Sequence, residues 1–304
     1  PRSTQGVSSA ASDVYKRQNE GHSFGITAAG GAGWQIAEWI VDGEPTIDMM
    51  GVDPRRFGPY ASKGYLKTKN EEAYSMVFTI HYPDEERPAG RPLKRSPCYD
   101  RMLEKGAVFG STFGWERPNW FAPPGYGLSE AELAKPDTLL RENHPPAVSG
   151  GKVTEKWSFR RSNYFEFVGN ECRHVHEKVG ILDMSAFSKF MVEGHDSASW
   201  LDSLLANRIP RKIGRIGLCH LLTSLGGVRS EFTVYRLAQD RFYLVSAGML
   251  ERHDWDYLTK AVPVDGRVQL RKVTSQYGVL VVAGPDSRSL LEKLTDRDLS
   301  LIHI

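Results

Sequence analysis

The sequence predicts an α+β fold built on antiparallel strands, and three stretches carry that expectation. In Phe232-Thr-Val-Tyr235 apolar and polar residues alternate, the period of a half-buried strand, shortly after the hairpin dipeptide Gly226-Gly227. Ile181–Ser185 and Phe187–Val192 read as further strands, the second closing at Gly194. Asp196 then stands before Ala198, Leu201, Leu204 and Leu205, an apolar face at helical spacing behind a residue type that caps helices.

Bulk properties bound the function. The chain has 304 residues, 40% hydrophobic and 25% charged, an ordinary globular composition with room for about two domains. A net charge of +2 argues against nucleic acid as the main partner. No apolar run reaches the roughly 18–20 residues that span a bilayer, so no membrane partner is expected. Three widely spaced cysteines, Cys98, Cys172 and Cys219, do not form a disulfide framework and suit a reducing compartment.

Residues 1–18 show no sustained apolar period and read as a non-native flank, like translated adapter sequence, as does the final stretch 299–304. A transit peptide is the competing reading of the start. Gly21–Gly33 is a glycine-rich loop, expected to lead into a helix, Trp34-Gln-Ile-Ala-Glu-Trp-Ile-Val41, with Trp34, Ala37, Ile40 and Val41 on one face. Glycines there let backbone N–H groups approach an anionic ligand; a tight turn required by packing is the alternative. A helix is expected within Ser62–Phe78, then a Pro- and charge-rich linker, Tyr82–Pro92. Ser96 is placed to cap a short helix that begins at Pro97 and ends at Gly106.

Phe113-Gly-Trp-Glu-Arg-Pro-Asn-Trp-Phe121 holds four aromatics in nine residues, a core or lid segment. Residues 123–155 read as a polar surface insertion with a weak helix at Ser129–Ala134. Phe167–Gly180 looks helical and carries Cys172, His174 and His176. Their spacing splits them over two directions and no second ligand pair accompanies them, so a solvated face is expected and no metal site is assigned. In the hairpin, Phe232, Val234 and, after a polar break, Leu237 are expected to face away from Glu231, Thr233 and Tyr235. Glu231 then stands at the mouth of the sheet just after a turn. Glu251–Val262 reads as a helix.

These residues carry a family resemblance. Gly226-Gly-Val-Arg-Ser-Glu231 resembles the Gly-Gly-x-x-[acid]-[acid] hairpin of the glycine-cleavage aminomethyltransferase fold. That fold also forms the folate-binding half of dimethylglycine and sarcosine dehydrogenases. Gly25-Ile26, Gly30-Gly-Ala-Gly33 and Ala37-Glu-Trp-Ile40 resemble the last flavin-contacting loop and helix of those dehydrogenases, followed by Asp42-Gly-Glu-Pro45 and Asp53-Pro-Arg-Arg-Phe57. Gly90-Arg-Pro-Leu-Lys-Arg95 is similar to their central-domain signature. Phe113-Gly-Trp115, Asp183-Met-Ser185, Leu205-Ala-Asn207 and Val279–Pro285 are similar to motifs of the folate-type domain, in the family's order.

The resemblance implies the tail of a flavin oxidoreductase domain (19–45), a small central domain (46–95) and the N-terminal part of an aminomethyltransferase-like folate-binding domain (96–298), an interior piece of a longer chain. It implies FAD near Gly25, Ile26, Gly30 and Gly31, and tetrahydrofolate near Leu218, Thr233 and Val245, with Glu231 as the catalytic carboxylate. The implied substrate is a small N-methylated glycine, dimethylglycine or sarcosine, with the electron acceptor unspecified. The setting is the cytoplasm in a bacterium or the mitochondrial matrix in a eukaryote. Free aminomethyltransferases carry an acid at the position of Ser230 and usually a tyrosine at that of Leu218. A non-catalytic relative, resembling the regulatory subunit of pyruvate dehydrogenase phosphatase, shares the architecture and is the alternative. A stand-alone aminomethyltransferase sits badly with Gly21–Arg95.

Overall fold

The computed structural model describes residues 25–53, 57–133, 148–149 and 152–299. Both expected flanks thus fall outside the described residues, apart from Leu299, as do residues 21–24 of the glycine-rich stretch and residues 134–147 and 150–151 of the insertion. The chain divides into a first unit, residues 1–58, and a second, residues 59–304.

The described part of the first unit is led by helix α1, Gly25–Asp42. This corrects the loop expected before Trp34: Gly25, Ile26, Gly30 and Gly31 all lie within the helix. Ala28, Ala29 and Ala32 are strong helix formers and offset the roughly 1 kcal/mol that each interior glycine costs. The expected apolar face is exposed, Trp34 at 68% and Val41 at 79%. The half-covered side instead turns Glu38 and Gln35 toward residues 46–47, where Glu38 Oε2 accepts from Thr46 N at 3.0 Å.

The second unit opens with α2, Lys63–Ser75, whose N-cap Ser62 accepts from Tyr65 N at 3.2 Å. The linker that follows has no regular structure, as its composition predicts, and side chains hold it. Glu72 of α2 accepts from Ala89 N at 2.8 Å. Next come α3, Tyr99–Glu104, and the antiparallel hairpin β1, Ala107–Thr112, with β2, Trp115–Phe121. Its turn sets both Phe113 (φ 51°) and Gly114 (φ 81°) left-handed, as a tight hairpin turn requires. Arg91 clamps the linker to this hairpin. Its Nε and Nη2 donate to the two oxygens of buried Glu116 at 3.0 and 2.6 Å, and Nη2 also donates to Phe109 O at 2.8 Å. Ser96 does not cap α3, whose N-cap is Cys98. The Ser96 hydroxyl is committed to Asp183 and accepts from Cys98 N at 3.2 Å.

Within the insertion lie α4, Glu130–Leu133, started by a reciprocal Ser129–Glu132 capping box, and the short strands β3, Val148–Ser149, and β4, Lys152–Val153. Its C-terminal end departs from the expected polar surface, because Thr154 and Glu155 are buried. Glu155 accepts from Trp120 Nε1 at 2.7 Å, and burial raises its carboxyl above the usual range. Trp120 is stacked on Tyr164 and on Phe167. Phe167 belongs to α5, Phe165–Glu177, on which Cys172, His174 and His176 are all exposed.

The remaining elements are β5, Gly180–Asp183; β6, Ser188–Glu193; α6, Ser197–Leu204; β7, Ile216–Leu222; β8, Val228–Ala238; β9, Arg241–Ser246; α7, Glu251–Ala261; β10, Gln269–Lys272; β11, Leu280–Ala283; and α8, Ser287–Leu291. Five strands form one antiparallel sheet in the order β10-β6-β9-β8-β7, while β11 pairs with β5. The core lies on one face: Phe190, Val192, Phe232, Val234, Phe242 and Leu244 point inward against Leu201 of α6 and Leu258 of α7. Trp200 Nε1 donates to Ala261 O at 2.9 Å and joins the two helices, and Ser246 donates to buried Asp254 at 2.6 Å, joining β9 to α7. Asp196 begins α6 but does not cap it with its side chain. Its carboxylate pairs with His195 and Arg267, which hold it below the usual carboxylate range.

One inward position departs from the sequence expectation. Leu237 is 42% exposed, on the side of Glu231, and the residue that continues the buried row is Arg236. The pleat admits no exception for an apolar side chain, so the polar break itself goes inside. Its guanidinium is satisfied by carbonyls alone: Nη1 donates to Pro210 O (3.2 Å) and Arg211 O (3.0 Å), Nη2 to Gln239 O (2.7 Å) and Nε to Ala238 O (3.3 Å). It ties the loop before β7 to the β8–β9 turn.

Two stability predictions follow from these contacts. Arg236→Lys and Arg236→Leu each destabilise by about 2–4 kcal/mol in urea unfolding, because a lysine has no planar fork to serve four carbonyls; a lysine variant as stable as the parent would remove the assigned role. Gly194 has φ 123°, and a Cβ there would meet Arg267 O at 2.1 Å, whereas Gly226 (φ 82°) has nothing within 4 Å. Gly194→Ala therefore costs about 2 kcal/mol or more and Gly226→Ala clearly less, the order being the readout.

Candidate functional site

The candidate site is the face of the five-stranded sheet opposite the core. Side chains alternate across a pleat, so burying Ser230, Phe232, Val234 and Arg236 on one face sends Glu231, Thr233 and Tyr235 to the other. Register then decides their neighbours. Leu218 stands opposite Thr233 on β8, Thr233 opposite Val245 on β9, and Val245 opposite Lys189 on β6. One row of the outer face thus reads Leu218, Thr233, Val245, Lys189. The next position toward the β7–β8 turn pairs Glu231 with His220. The row on the other side pairs Ile216 with Tyr235, Tyr235 with Tyr243 and Tyr243 with Met191.

Electrostatics differ along the face. Glu231 is exposed, its Oε2 3.3 Å from His220 Nε2, and the two side chains retain 58% and 32% of their exposure. At the far end of the row that holds Thr233 and Val245, Lys189 is fully buried. Its ammonium donates to Ser185 O at 2.7 Å and Thr274 O at 3.1 Å, and burial lowers its pKa. Tyr243 is packed edge-on against Tyr235 and Tyr277, with centroids 5.6 and 5.9 Å apart, and burial pushes its phenol up to about 12. Tyr243 therefore stays a neutral hydroxyl at any physiological pH.

Of the residues expected from sequence, Glu231, Thr233, Leu218 and Val245 come together on this face. Leu218 is 53% exposed and offers an apolar side chain to anything laid on the sheet. Ser230, the other departure from the free transferases, faces the core at 3% exposure. Its replacement of an acid therefore takes no group away from the outer face. Gly25, Ile26, Gly30 and Gly31 belong to α1 in the first unit. A Cβ on Gly30 or Gly31 meets nothing within 4 Å among the described residues, so packing does not demand glycine there.

His220, Lys189 and the tyrosine trio were missed by sequence reasoning. His220 was out of its reach, because only the irregularity between Leu221 and Leu222 brings His220 opposite Glu231 rather than Ser230. Lys189 was too, since nothing in a strand of sequence Ser-Lys-Phe-Met-Val marks its lysine as buried.

The chemistry of the face suits a flat aromatic ligand that carries an amine. It has apolar contact from Leu218 and Val245, a hydroxyl from Thr233, a neutral phenol and one accessible carboxylate. Among the described residues, no group of three or more His, Cys, Asp and Glu is placed to hold a metal ion, and no helix is long and apolar enough to cross a membrane.

Comparison with known proteins matches two family models: the FAD dependent oxidoreductase central domain over residues 42–96 and the GCVT N-terminal domain over residues 98–304. The chain is 38% identical over 281 residues to mitochondrial dimethylglycine dehydrogenase of Rattus norvegicus, covering 92% of this chain and 30% of that protein. It is 29% identical over 305 residues to human mitochondrial sarcosine dehydrogenase, with 92% and 32% covered. It is also 29% identical over 277 residues to the mitochondrial pyruvate dehydrogenase phosphatase regulatory subunit of Mus musculus, with 90% and 29% covered. The chain thus spans about a third of the length of the relatives it matches. An FAD oxidoreductase central domain followed in order by a GCVT domain, with ordered motifs along nearly the whole chain, places this protein in the dimethylglycine/sarcosine dehydrogenase family.

Proposed function

We propose that this chain is part of an FAD-dependent dehydrogenase of N-methylated glycines, dimethylglycine or sarcosine, whose GCVT domain passes the released one-carbon unit to tetrahydrofolate. The observation that supports the reading is the outer sheet face, which gathers Glu231, Thr233, Val245 and Leu218 around one patch. Flavin supplies the oxidation when bound. On this chain, Leu218 and Val245 position the folate by apolar contact and Thr233 fixes its orientation by hydrogen bonding. Glu231 faces the amine that attacks the electrophilic one-carbon unit. That amine gains positive charge as its lone pair forms the new N–C bond, and a carboxylate beside it stabilises the charge and accepts the proton.

The family includes a relative named as a regulatory subunit, so a non-catalytic role is the second reading. Glu231, exposed and unencumbered by any lysine or arginine ion pair among the described residues, favours the catalytic one. The named dehydrogenase relatives are mitochondrial. The matrix is the corresponding setting in a eukaryote and the cytoplasm in a bacterium.

In the complete enzyme, Glu231→Gln lowers folate-dependent capture by roughly 10²-fold or more, while flavin reduction by substrate stays unchanged. Stopped-flow flavin bleaching and formation of the one-carbon folate separate the two half-reactions, and equal loss of both would sink the role. Leu218→Ala weakens tetrahydrofolate binding roughly tenfold, about half the burial value of a leucine. Calorimetric titration reads this, and an unchanged Kd would take Leu218 out of the site.

A further inference from the structure

The contact between Glu231 and His220 fixes where a proton must sit. Asn207, in the connection from α6 to β7, accepts from the main-chain N–H of His220 at 3.0 Å through its Oδ1. A main-chain N–H only donates, so the amide oxygen faces His220 and the amide nitrogen faces away. The same oxygen lies 3.0 Å from His220 Nδ1. An oxygen acceptor at that distance requires the proton on Nδ1. The neutral ring then has its bare lone pair on Nε2, and Nε2 is the atom 3.3 Å from Glu231 Oε2. Nε2 is therefore an empty acceptor facing a carboxylate oxygen, and one further proton arriving on either atom bridges the two.

The surroundings leave this proton to the pair. β7 is an edge strand, so the charged groups near His220 come from β8 and from the connection after α6. On β8, Arg229 lies over the Tyr257 ring at 4.7 Å and Arg236 faces the core. Asp202 of α6 accepts from Ile209 N at 3.4 Å, and Arg208 presents its carbonyl to Cys219. Cys219 itself is buried on the core face.

We propose that Glu231, His220 and Asn207 form one proton relay, in which His220 is a positioning residue that takes up the proton Glu231 receives. The proposal rests on the reading of Glu231 as proton acceptor in folate capture. In that step the folate amine's lone pair forms the N–C bond to the methylene carbon of the iminium, and the C=N electron pair moves onto the iminium nitrogen. The proton of the attacking amine passes to Glu231. Glu231 hands it through Oε2 to the empty Nε2 of His220, which becomes doubly protonated while Nδ1–H stays on Asn207. Glu231 is again a carboxylate, and the half-exposed imidazole releases the proton to solvent.

Long-range proton–nitrogen NMR of the ¹⁵N-labelled chain tests the geometry directly, with the His220→Gln spectrum identifying the His220 ring. The expected result is an Nδ1–H tautomer at high pH that is lost in Asn207→Leu. An Nε2–H tautomer in the parent chain overturns the relay. In the complete enzyme, His220→Gln lowers folate capture about tenfold without changing flavin reduction, and His220→Gln/Glu231→Gln captures no more slowly than Glu231→Gln alone; fully additive losses overturn the coupling. If the parent enzyme captures nothing on folate, the folate reading falls by itself, and the tautomer spectra still decide the relay.

Discussion

The outer face rests on the pleat of a single strand. β8 runs eleven residues with β7 on one side and β9 on the other. Its buried residues, Phe232 and Val234, are held at zero exposure by α6 and α7. A slip of one residue would put Glu231 and Thr233 into that core and expel both apolar side chains. The site is therefore positioned by packing it does not touch. Where the pairing does change, between Leu221 and Leu222, the irregularity sits at the turn end of the hairpin and leaves the His220–Glu231 and Leu218–Thr233 pairs in register.

Much of this was readable from sequence because it depends on period and punctuation. The hairpin at Gly226-Gly227, the helices α2, α6 and α7 and the strands β6 and β8 all follow from local pattern. Most of the failures come from side-chain partners that local pattern does not announce. Ser96 and Asp196 are capping types at capping positions, yet their side chains are taken by Asp183 and by His195 and Arg267. Arg236 reads as a solvent residue until four carbonyls from two loops converge on it. Glu155 reads as surface until Trp120 offers its indole N–H. In the glycine-rich stretch, glycine was weighed above alanine, and a helix formed where a loop was expected.

The linker shows how a segment without ladders is still specified. Tyr82–Pro92 carries too much proline and charge for a helix or strand, but its backbone and charges are met one at a time. Glu72 takes Ala89 N, Glu86 takes Ser111 N, and Arg91 takes Glu116 and a strand carbonyl. Gly110 has no side chain because a Cβ would meet Glu86 Oε1 at 2.2 Å and Asn119 at 2.6 Å. Burying the Arg91–Glu116 pair is tolerable because the fork geometry satisfies both carboxylate oxygens at once. The Gly-Arg-Pro signature thus has a physical content: it is the clamp between the linker and the first hairpin.

Asn207 connects fold and chemistry through one oxygen atom. β7 is an edge strand, and an edge presents N–H groups that must find acceptors. Asn207 Oδ1 supplies one to His220 N, while Ala206 N returns a bond to His220 O at 2.9 Å, so the connection from α6 runs along the edge like a short extra strand. The backbone bond fixes the amide's orientation, and that orientation chooses the histidine tautomer. A structural requirement of the sheet edge and an electronic requirement of the site are met by the same atom. This explains why an amide suits position 207 better than a carboxylate would. An aspartate could accept both bonds, but its charge would compete with Glu231 for the imidazole's second proton, and the relay would lose its direction.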